Sequence, residues 1–164
     1  MAKRPNAIIT ESITEALLQL MGNTAFHKIT VTDITKKAGV GRVSFYRNFD
    51  SKEDVLRAYL DKITDDFMEK MNFDFRRDAH TLYIAGLFLH LEIHKDFIEL
   101  LHRHQLLFLI KDEFDRAFLK REDGKTPKYA CYMAAGAYYN LFYYWVLNGY
   151  RETPEELAKL EFAI

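Results

Sequence analysis

The sequence predicts an all-α protein, and three observations support that fold class. Apolar residues recur at spacings of three and four along most of the chain, which is the periodicity of amphipathic helices. The sequence lacks sustained apolar–polar alternation and hairpin dipeptides between apolar runs, so strands are not indicated. Only 7 Gly and 3 Pro interrupt the 164 residues, of which 49% are hydrophobic. A chain of this length and composition can bury a core of useful size.

Four helices are predicted in the first 70 residues, at 8–21, 32–39, 42–48 and 52–70. Apolar residues share one face of the first helix, and Gly22 ends it. The second helix is predicted to begin at Thr32, a good N-cap residue, and to end at Gly39, which suits a C-cap. Ser51 is expected to cap the longer fourth helix, which connects the two ends of the molecule.

Further helices are predicted in the aromatic-rich remainder, at 78–93, 95–120, 127–148 and 154–162. The last has a strong start signal, because Thr153 suits an N-cap and is followed by Pro and two acidic residues. The stretch 129–150 has no charge, but seven of its residues are Tyr. Tyrosine favours membrane interfaces over the bilayer interior. We therefore interpret 127–148 as a helix buried by protein, and we expect no membrane association.

The helices at 32–39 and 42–48, joined by a tight turn, have the layout of a helix-turn-helix. Four apolar residues are expected to bury this unit: Ile34, Val40, Phe45 and Phe49. The second helix of the pair is unusually polar for its length, because its other faces carry arginine, serine, tyrosine and asparagine. A short, polar helix on an apolar anchor is suited to reading DNA.

The charge distribution supports this interpretation. The whole chain has a net charge of −1, which by itself argues against nucleic-acid binding. Residues 1–49 hold seven basic and three acidic side chains, a net charge of +4. The remainder holds 16 basic and 21 acidic side chains, a net charge of −5. A basic head on an acidic body is expected of a DNA reader with a regulatory domain. We place the DNA-binding domain at 1–52 and the second helical domain at 53–164.

Three features of residues 30–56 resemble the TetR/AcrR family of bacterial transcriptional regulators. They are the turn Ala38-Gly39-Val40, the helix Phe45-Tyr46-x-x-Phe49, and Ser51-Lys52-Glu53-Asp54-Val55-Leu56 at the start of the fourth helix. The resemblance covers about residues 8–60, and beyond residue 70 only the general plan is similar. It implies a ligand-responsive repressor that binds a pseudo-palindromic operator in double-stranded DNA as a homodimer.

The resemblance also implies DNA-binding roles for eight residues: Thr32, Arg42, Val43, Ser44, Tyr46, Arg47, Asn48 and Lys52. Four of them would reach base edges in the major groove, namely Arg42, Val43, Ser44 and Arg47, and arginine is the best reader of guanine. The other four would contact phosphate or sugar. Two basic residues near the N-terminus, Lys3 and Arg4, would form an arm against the DNA backbone or minor groove.

Several of these assignments have alternatives. Tyr46 could instead pack against the first helix, and Arg47 and Lys52 could be solvated surface charges. We expect Lys36 and Lys37 to be a solvated face rather than DNA contacts. Gly41 makes the start of the recognition helix more flexible than is usual in the family.

For the body, the resemblance implies a dimer interface and a small-molecule effector site. Five residues are candidates for lining an effector pocket: His90, His94, Phe108, Tyr139 and Tyr143. The helix 127–148 is the candidate for the dimer interface, through Tyr138, Phe142 and Trp145. These aromatic stripes could also form the core. The body is short for the family, so a small cavity is expected.

Other function classes receive little support. Cys131 is the only cysteine, so an intrachain disulfide is impossible, and a reducing, cytoplasmic location is expected. The sequence lacks a phosphate-binding loop, a Gly-x-Ser-x-Gly motif and a dinucleotide glycine pattern, so we expect no enzyme, cofactor or bound metal. Two alternatives stay open: a relative that binds proteins as a co-activator without binding DNA, and a helical metal-binding protein using the cluster His90, His94, His102 and His104.

Overall fold

The computed structural model describes residues 7–71, 80–120 and 127–160. Within these ranges the chain is built of helices and contains no β-strand, so the predicted all-α class is confirmed. The helices are α1 (Ala7–Met21), a 3₁₀ turn (Phe26–Lys28), α2 (Val31–Ala38), α3 (Arg42–Asn48), α4 (Lys52–Met71), α5 (His80–Ile93), α6 (Lys95–Arg103), α7 (Phe108–Lys120), α8 (Lys128–Leu147) and α9 (Pro154–Ala158). None of the described helices has the length and apolarity that a bilayer crossing requires. The predicted DNA-binding arm of Lys3 and Arg4 lies outside the described residues.

The start of α2 differs from the prediction. The N-cap is Thr30 rather than Thr32: its hydroxyl accepts a hydrogen bond from the Asp33 amide, and the Asp33 carboxylate accepts one from the Thr30 amide at 2.9 Å. This reciprocal capping box requires an acidic residue three positions after the cap, a spacing that Thr30 has and Thr32 lacks. The Thr30 hydroxyl also donates to the Asp33 carboxylate, at 2.6 Å, and this bond together with the one from the Thr30 amide lowers the pKa of Asp33, so its carboxylate is ionised at neutral pH.

Gly39 ends α2 as the sequence predicts. It adopts the left-handed conformation, with φ of 67°, where a side chain would be strained. Its amide donates to the Lys36 carbonyl, and the Val40 amide donates to the Thr35 carbonyl at 3.0 Å. This pair of bonds is a Schellman motif, which satisfies the last carbonyls of α2 and turns the chain into α3.

The predicted helix 95–120 is wrong, because the chain breaks it into α6 and α7. Gln105 adopts the left-handed conformation with φ of 60°, and the Leu106 amide returns to the Leu101 carbonyl at 2.8 Å. Leu106 and Leu107 are buried at this corner. The burial of these two leucines therefore stabilises the break. The sequence has no Gly or Pro at this point that would predict it.

The second half of the chain packs around aromatic side chains. Helix α7 lies along α8, and α5 lies against α9. Trp145 is 1% exposed, its ring meets Phe88 edge-on at 5.1 Å, and its Nε1 donates to the Glu152 carbonyl at 2.9 Å. Tyr138 and Phe142 are buried on the same face of α8. The prediction that Tyr138, Phe142 and Trp145 form a dimer interface is therefore wrong, because these residues fill the core of their own chain.

Helix α4 joins the two ends of the molecule. It begins with a second reciprocal cap, in which Ser51 and Asp54 each bond the other's amide, at 3.0 and 3.1 Å. Its apolar face packs against α1 near the N-terminus and against α7 further along. An ion pair between Arg57 and Asp112 at 2.8 Å also links α4 to α7. The division of the chain at residues 52 and 53 stays a prediction.

Candidate nucleic-acid interface

The outer face of α3 is a row of exposed side chains on a buried anchor. Phe45 is fully buried and packs against Phe49 at 5.9 Å between ring centroids. On the opposite side, Val43 is 67% exposed and Tyr46 is 50% exposed. Arg42 and Arg47 are exposed as well. We call Arg42, Val43, Tyr46 and Arg47 the outer face of α3.

The chemistry of this face suits the major groove of DNA. Arginine can bond guanine bidentately, and a valine methyl can contact the methyl group of thymine. Tyr46 is half-exposed, and its ring lies edge-on to Phe45 at 5.4 Å between ring centroids. A seven-residue helix is short enough for all four side chains to face one groove.

Thr32 lies beside this face. It is the second residue of α2, it is exposed, and its hydroxyl accepts a long hydrogen bond of 3.4 Å from Arg42. The first-turn amides of α2 and this hydroxyl form a position suited to a phosphate oxygen. The hydrogen bond also links the two helices of the motif at the surface where DNA would lie.

Ser44 and Asn48 are less available than the sequence indicates. Both are half-buried, and the Asn48 side-chain amide donates to the Ser44 carbonyl at 2.7 Å. Asn48 is the last residue of α3, and this bond holds its side chain against the backbone of its own helix. Its contact to phosphate or sugar stays a prediction.

Lys52 also occupies a different place from the one expected. Its ammonium donates to the carbonyls of Phe26 and Ile29, at 2.6 and 2.8 Å, and lies 4.4 Å from the centre of the Phe26 ring. The side chain therefore holds the 3₁₀ turn against the start of α4. It positions the segment that leads into α2, whereas the sequence predicts that it contacts phosphate.

The body contains a small cavity where α4, α5, α6 and α7 meet. Its volume is about 60 Å³, and His90 and His94 are among the residues that line it. The rest of the wall is mostly apolar, with Phe67, Phe97, Phe114 and Phe118 among its aromatic residues. Phe108, Tyr139 and Tyr143 do not line this cavity: Phe108 and Tyr143 are exposed, and Tyr139 stacks on Tyr143 at 5.9 Å. Their place in an effector pocket stays a prediction.

The two histidines of the cavity are expected to be neutral at pH 7. Burial lowers the pKa of His90, whose Nε2 lies 3.0 Å from the Ile63 carbonyl of α4. Burial and the neighbouring His90 ring, at 4.8 Å, lower the pKa of His94. Among the residues that the structure describes, no three His, Cys, Asp or Glu side chains come together to hold a metal ion. The pair supplies two ligands, fewer than the three or four protein ligands that a zinc site needs.

The sequence did not single out the face of α8 that the structure leaves exposed. This face carries large apolar or aromatic side chains: Tyr129, Tyr132, Met133, Tyr143, Tyr144 and Leu147. Met133 is 76% exposed and Tyr144 is 64% exposed. Exposed apolar side chains clustered on one helix mark an interaction surface. Their spacing of three and four was visible in the sequence, but the buried stripe of α8 has the same spacing.

Comparison with known proteins agrees with the geometry of the first four helices. The family described as bacterial regulatory proteins, tetR family, matches residues 13–59, which run from α1 into α4. A fatty acid metabolism regulator protein of Bacillus subtilis is 29% identical over 118 residues, covering 72% of this chain and 57% of that protein. An activator of Lactococcus lactis, DhaS, named for the dhaKLM operon, is 29% identical over 114 residues, covering 69% and 56%.

A more distant relative is the HTH-type transcriptional regulator AlkX of Mycobacterium tuberculosis. It is 22% identical over 86 residues, which cover 52% of this chain and 41% of that protein. The chain thus spans about half the length of the curated relatives it matches. Among solved structures, the fatty acid degradation regulator FadR from Bacillus halodurans superposes with a TM-score of 0.54. That likeness covers 97% of this chain and 93% of the other at 19% identity, so it concerns the fold.

Proposed function

The chain belongs, through residues 13–59, to the tetR family of bacterial regulatory proteins, and we propose that it is a homodimeric repressor of transcription. In this proposal the two heads bind a pseudo-palindromic operator in double-stranded DNA, and a small molecule bound in the body releases them. The protein works in the cytoplasm and catalyses no reaction. Its relatives are named as regulators, and one of them is named as an activator.

One observation carries the DNA-binding part of the proposal. The outer face of α3 exposes two arginines, a valine and a tyrosine on a helix whose other side is anchored by the fully buried Phe45. A rigid anchor and an exposed, positively charged face are what a recognition helix needs to enter the major groove. The head's net charge of +4, on a chain of net −1, directs that face towards phosphate.

The dimer is proposed to form through the exposed face of α8. Two-fold symmetry would bring this face against the same face of a second copy, and an isologous contact of this kind is self-complementary. The exposed tyrosines and Met133 offer the aromatic and flexible apolar area that is common in such interfaces. A second copy is favoured over another partner because a palindromic operator requires two heads related by a two-fold axis.

Regulation is proposed to act through α4, because this helix lines the cavity and also begins at the head. The cavity of about 60 Å³ is smaller than the roughly 150 Å³ that holds benzene. An effector would therefore have to open it, which moves α4 against α7 and α5. An effector that binds the opened form better shifts the population towards a head spacing that no longer fits the operator.

Selection of DNA from a random pool, followed by hydroxyl-radical footprinting, tests the proposed function. We expect one enriched sequence with two inverted half-sites whose centres lie about 10 base pairs, or a multiple of that, apart. Failure to enrich any sequence would overturn the proposal. A reporter gene behind the selected operator then decides between repression and activation.

A substitution on α8 tests the dimer. Tyr144→Glu is expected to give monomers in light scattering, because two buried glutamates near a two-fold axis would repel each other and lose hydration. Ile8→Glu replaces another exposed apolar side chain, in α1, and is expected to remain dimeric. A dimer of wild-type affinity for Tyr144→Glu would place the interface elsewhere.

A further inference from the structure

A histidine of the body bonds two backbone groups of the head. His104 lies between α6 and α7, and its Nε2 is 2.8 Å from the Met21 carbonyl at the end of α1. Its Nδ1 accepts a hydrogen bond of 3.3 Å from the Phe26 amide, at the start of the 3₁₀ turn. The imidazole therefore bridges the two ends of the loop 22–25 from a position about 80 residues away in sequence.

This arrangement determines the state of the ring. An amide can only donate, so Nδ1 must carry a lone pair, and Nε2 must then carry the hydrogen that is donated to the Met21 carbonyl. Both bonds exist only for the neutral Nε2–H tautomer. Protonation would place an N–H group on Nδ1, facing the Phe26 amide, and break that bond.

The same turn is held from its other side by α4. The Lys52 ammonium binds the carbonyls of Phe26 and Ile29, and Ile29 directly precedes Thr30, the N-cap of α2. The turn is thus fixed by one side chain from the body and one from the connecting helix. Since α2 is packed against α3, a shift of this turn would be passed to the recognition helix.

We propose that His104 is a positioning residue for the DNA-binding head. Its neutral ring sets the orientation of the 3₁₀ turn, and with it α2 and α3, relative to the body. A movement of the corner between α6 and α7 would break the two bonds and free the head. The effect on DNA rests on the proposed function, whereas the bonds themselves do not.

Charged and titratable groups on the segments that meet at this contact are few. They are His27 and Lys28 in the turn, Lys52 on its far side, and His102 and Arg103 at the end of α6. His27 and His102 are exposed. His102 is therefore a suitable control, because its side chain can be removed without touching the two bonds of His104.

Nuclear magnetic resonance of the full chain tests the bonds without DNA. At about pH 7.5 the ¹⁵N shifts of His104 are expected to report the neutral Nε2–H tautomer. In His104→Ala the Phe26 amide should exchange with solvent about tenfold faster or more, as expected for a lost hydrogen bond. His104→Gln keeps a donor and an acceptor and should restore part of the protection. His102→Ala, an exposed neighbour, should leave it unchanged.

Operator binding tests the consequence. His104→Ala is expected to bind the selected operator about fivefold more weakly or worse, with His104→Gln in between. If the alanine variant fails to fold, His104→Gln keeps the test valid, because its intermediate Phe26 protection and operator affinity are measured against His102→Ala. A protonated His104 ring or an Nδ1–H tautomer at about pH 7.5 would show that the two hydrogen bonds of His104 are not made. An unprotected Phe26 amide in the wild type would show the same. Lost protection with unchanged operator affinity would overturn the positioning role. If the wild type binds no DNA, the proposed function is refuted, and so is the role of His104 in positioning the head for DNA. Solvent exchange of the Phe26 amide still tests the two hydrogen bonds in that case.

Discussion

Arg47→Ala is expected to weaken operator binding by about 1–3 kcal/mol, a factor of roughly 5 to 150. Arg47 is exposed on the outer face of α3, and each bidentate arginine–guanine contact contributes about that much discrimination. The helix itself should persist, because its anchor is the buried Phe45 on the opposite side. Fluorescence anisotropy with the labelled operator measures the affinity, and far-ultraviolet circular dichroism checks the helicity.

The control for this variant is Arg103→Ala, which removes another exposed arginine, at the end of α6. Its operator affinity should equal that of wild type. Binding to operators with single base changes separates two roles of Arg47: a base reader loses discrimination at one position, whereas a phosphate contact weakens all sequences alike. Wild-type affinity for Arg47→Ala would remove this residue from the interface.

Trp145→Ala is expected to lower the free energy of unfolding by about 3–5 kcal/mol, the usual cost of emptying an aromatic core position. The indole is 1% exposed and packs edge-on against Phe88 and Tyr150, at 5.1 and 4.8 Å. Its removal also leaves the Glu152 carbonyl without the hydrogen bond from Nε1. Urea denaturation followed by circular dichroism measures the change.

Leu82→Ala is the comparison, because Leu82 is 61% exposed and lies on α5, the helix whose Phe88 packs against Trp145. Its free energy of unfolding should stay within about 0.5 kcal/mol of wild type. If Trp145→Ala instead gave a monomer of unchanged stability, Trp145 would belong to the dimer interface, as the sequence predicts, and the buried position would be refuted.

The helix boundaries of the head could be predicted closely, because local signals determine them. Gly39 ends α2 in the left-handed conformation, and Ser51 caps α4 where the sequence expects it. The N-cap of α2 could also be predicted from the sequence. Thr30 and Thr32 are both good caps, but only Thr30 has an acidic residue three positions later, and that residue completes the capping box.

The body was less predictable, because its helices are apolar on more than one face. In α8 the buried stripe that contains Trp145 and the exposed stripe that contains Tyr144 are both rich in aromatic and apolar residues at helical spacing. Periodicity therefore identifies the helix but not its inward face. The break at Gln105 rests on the burial of two leucines, and the contacts of Lys52 and His104 join residues far apart in sequence. Tertiary packing, which a single sequence does not display, decides all of these features.

The salt dependence of binding to the selected operator tests the central claim most directly. A dimer that neutralises several phosphates releases their counterions, so the logarithm of the association constant should fall linearly with the logarithm of salt concentration. We expect a loss of about 100-fold or more between 50 and 200 mM salt. Weak binding that hardly changes over this range would contradict the account and favour a protein-binding co-activator that does not read DNA.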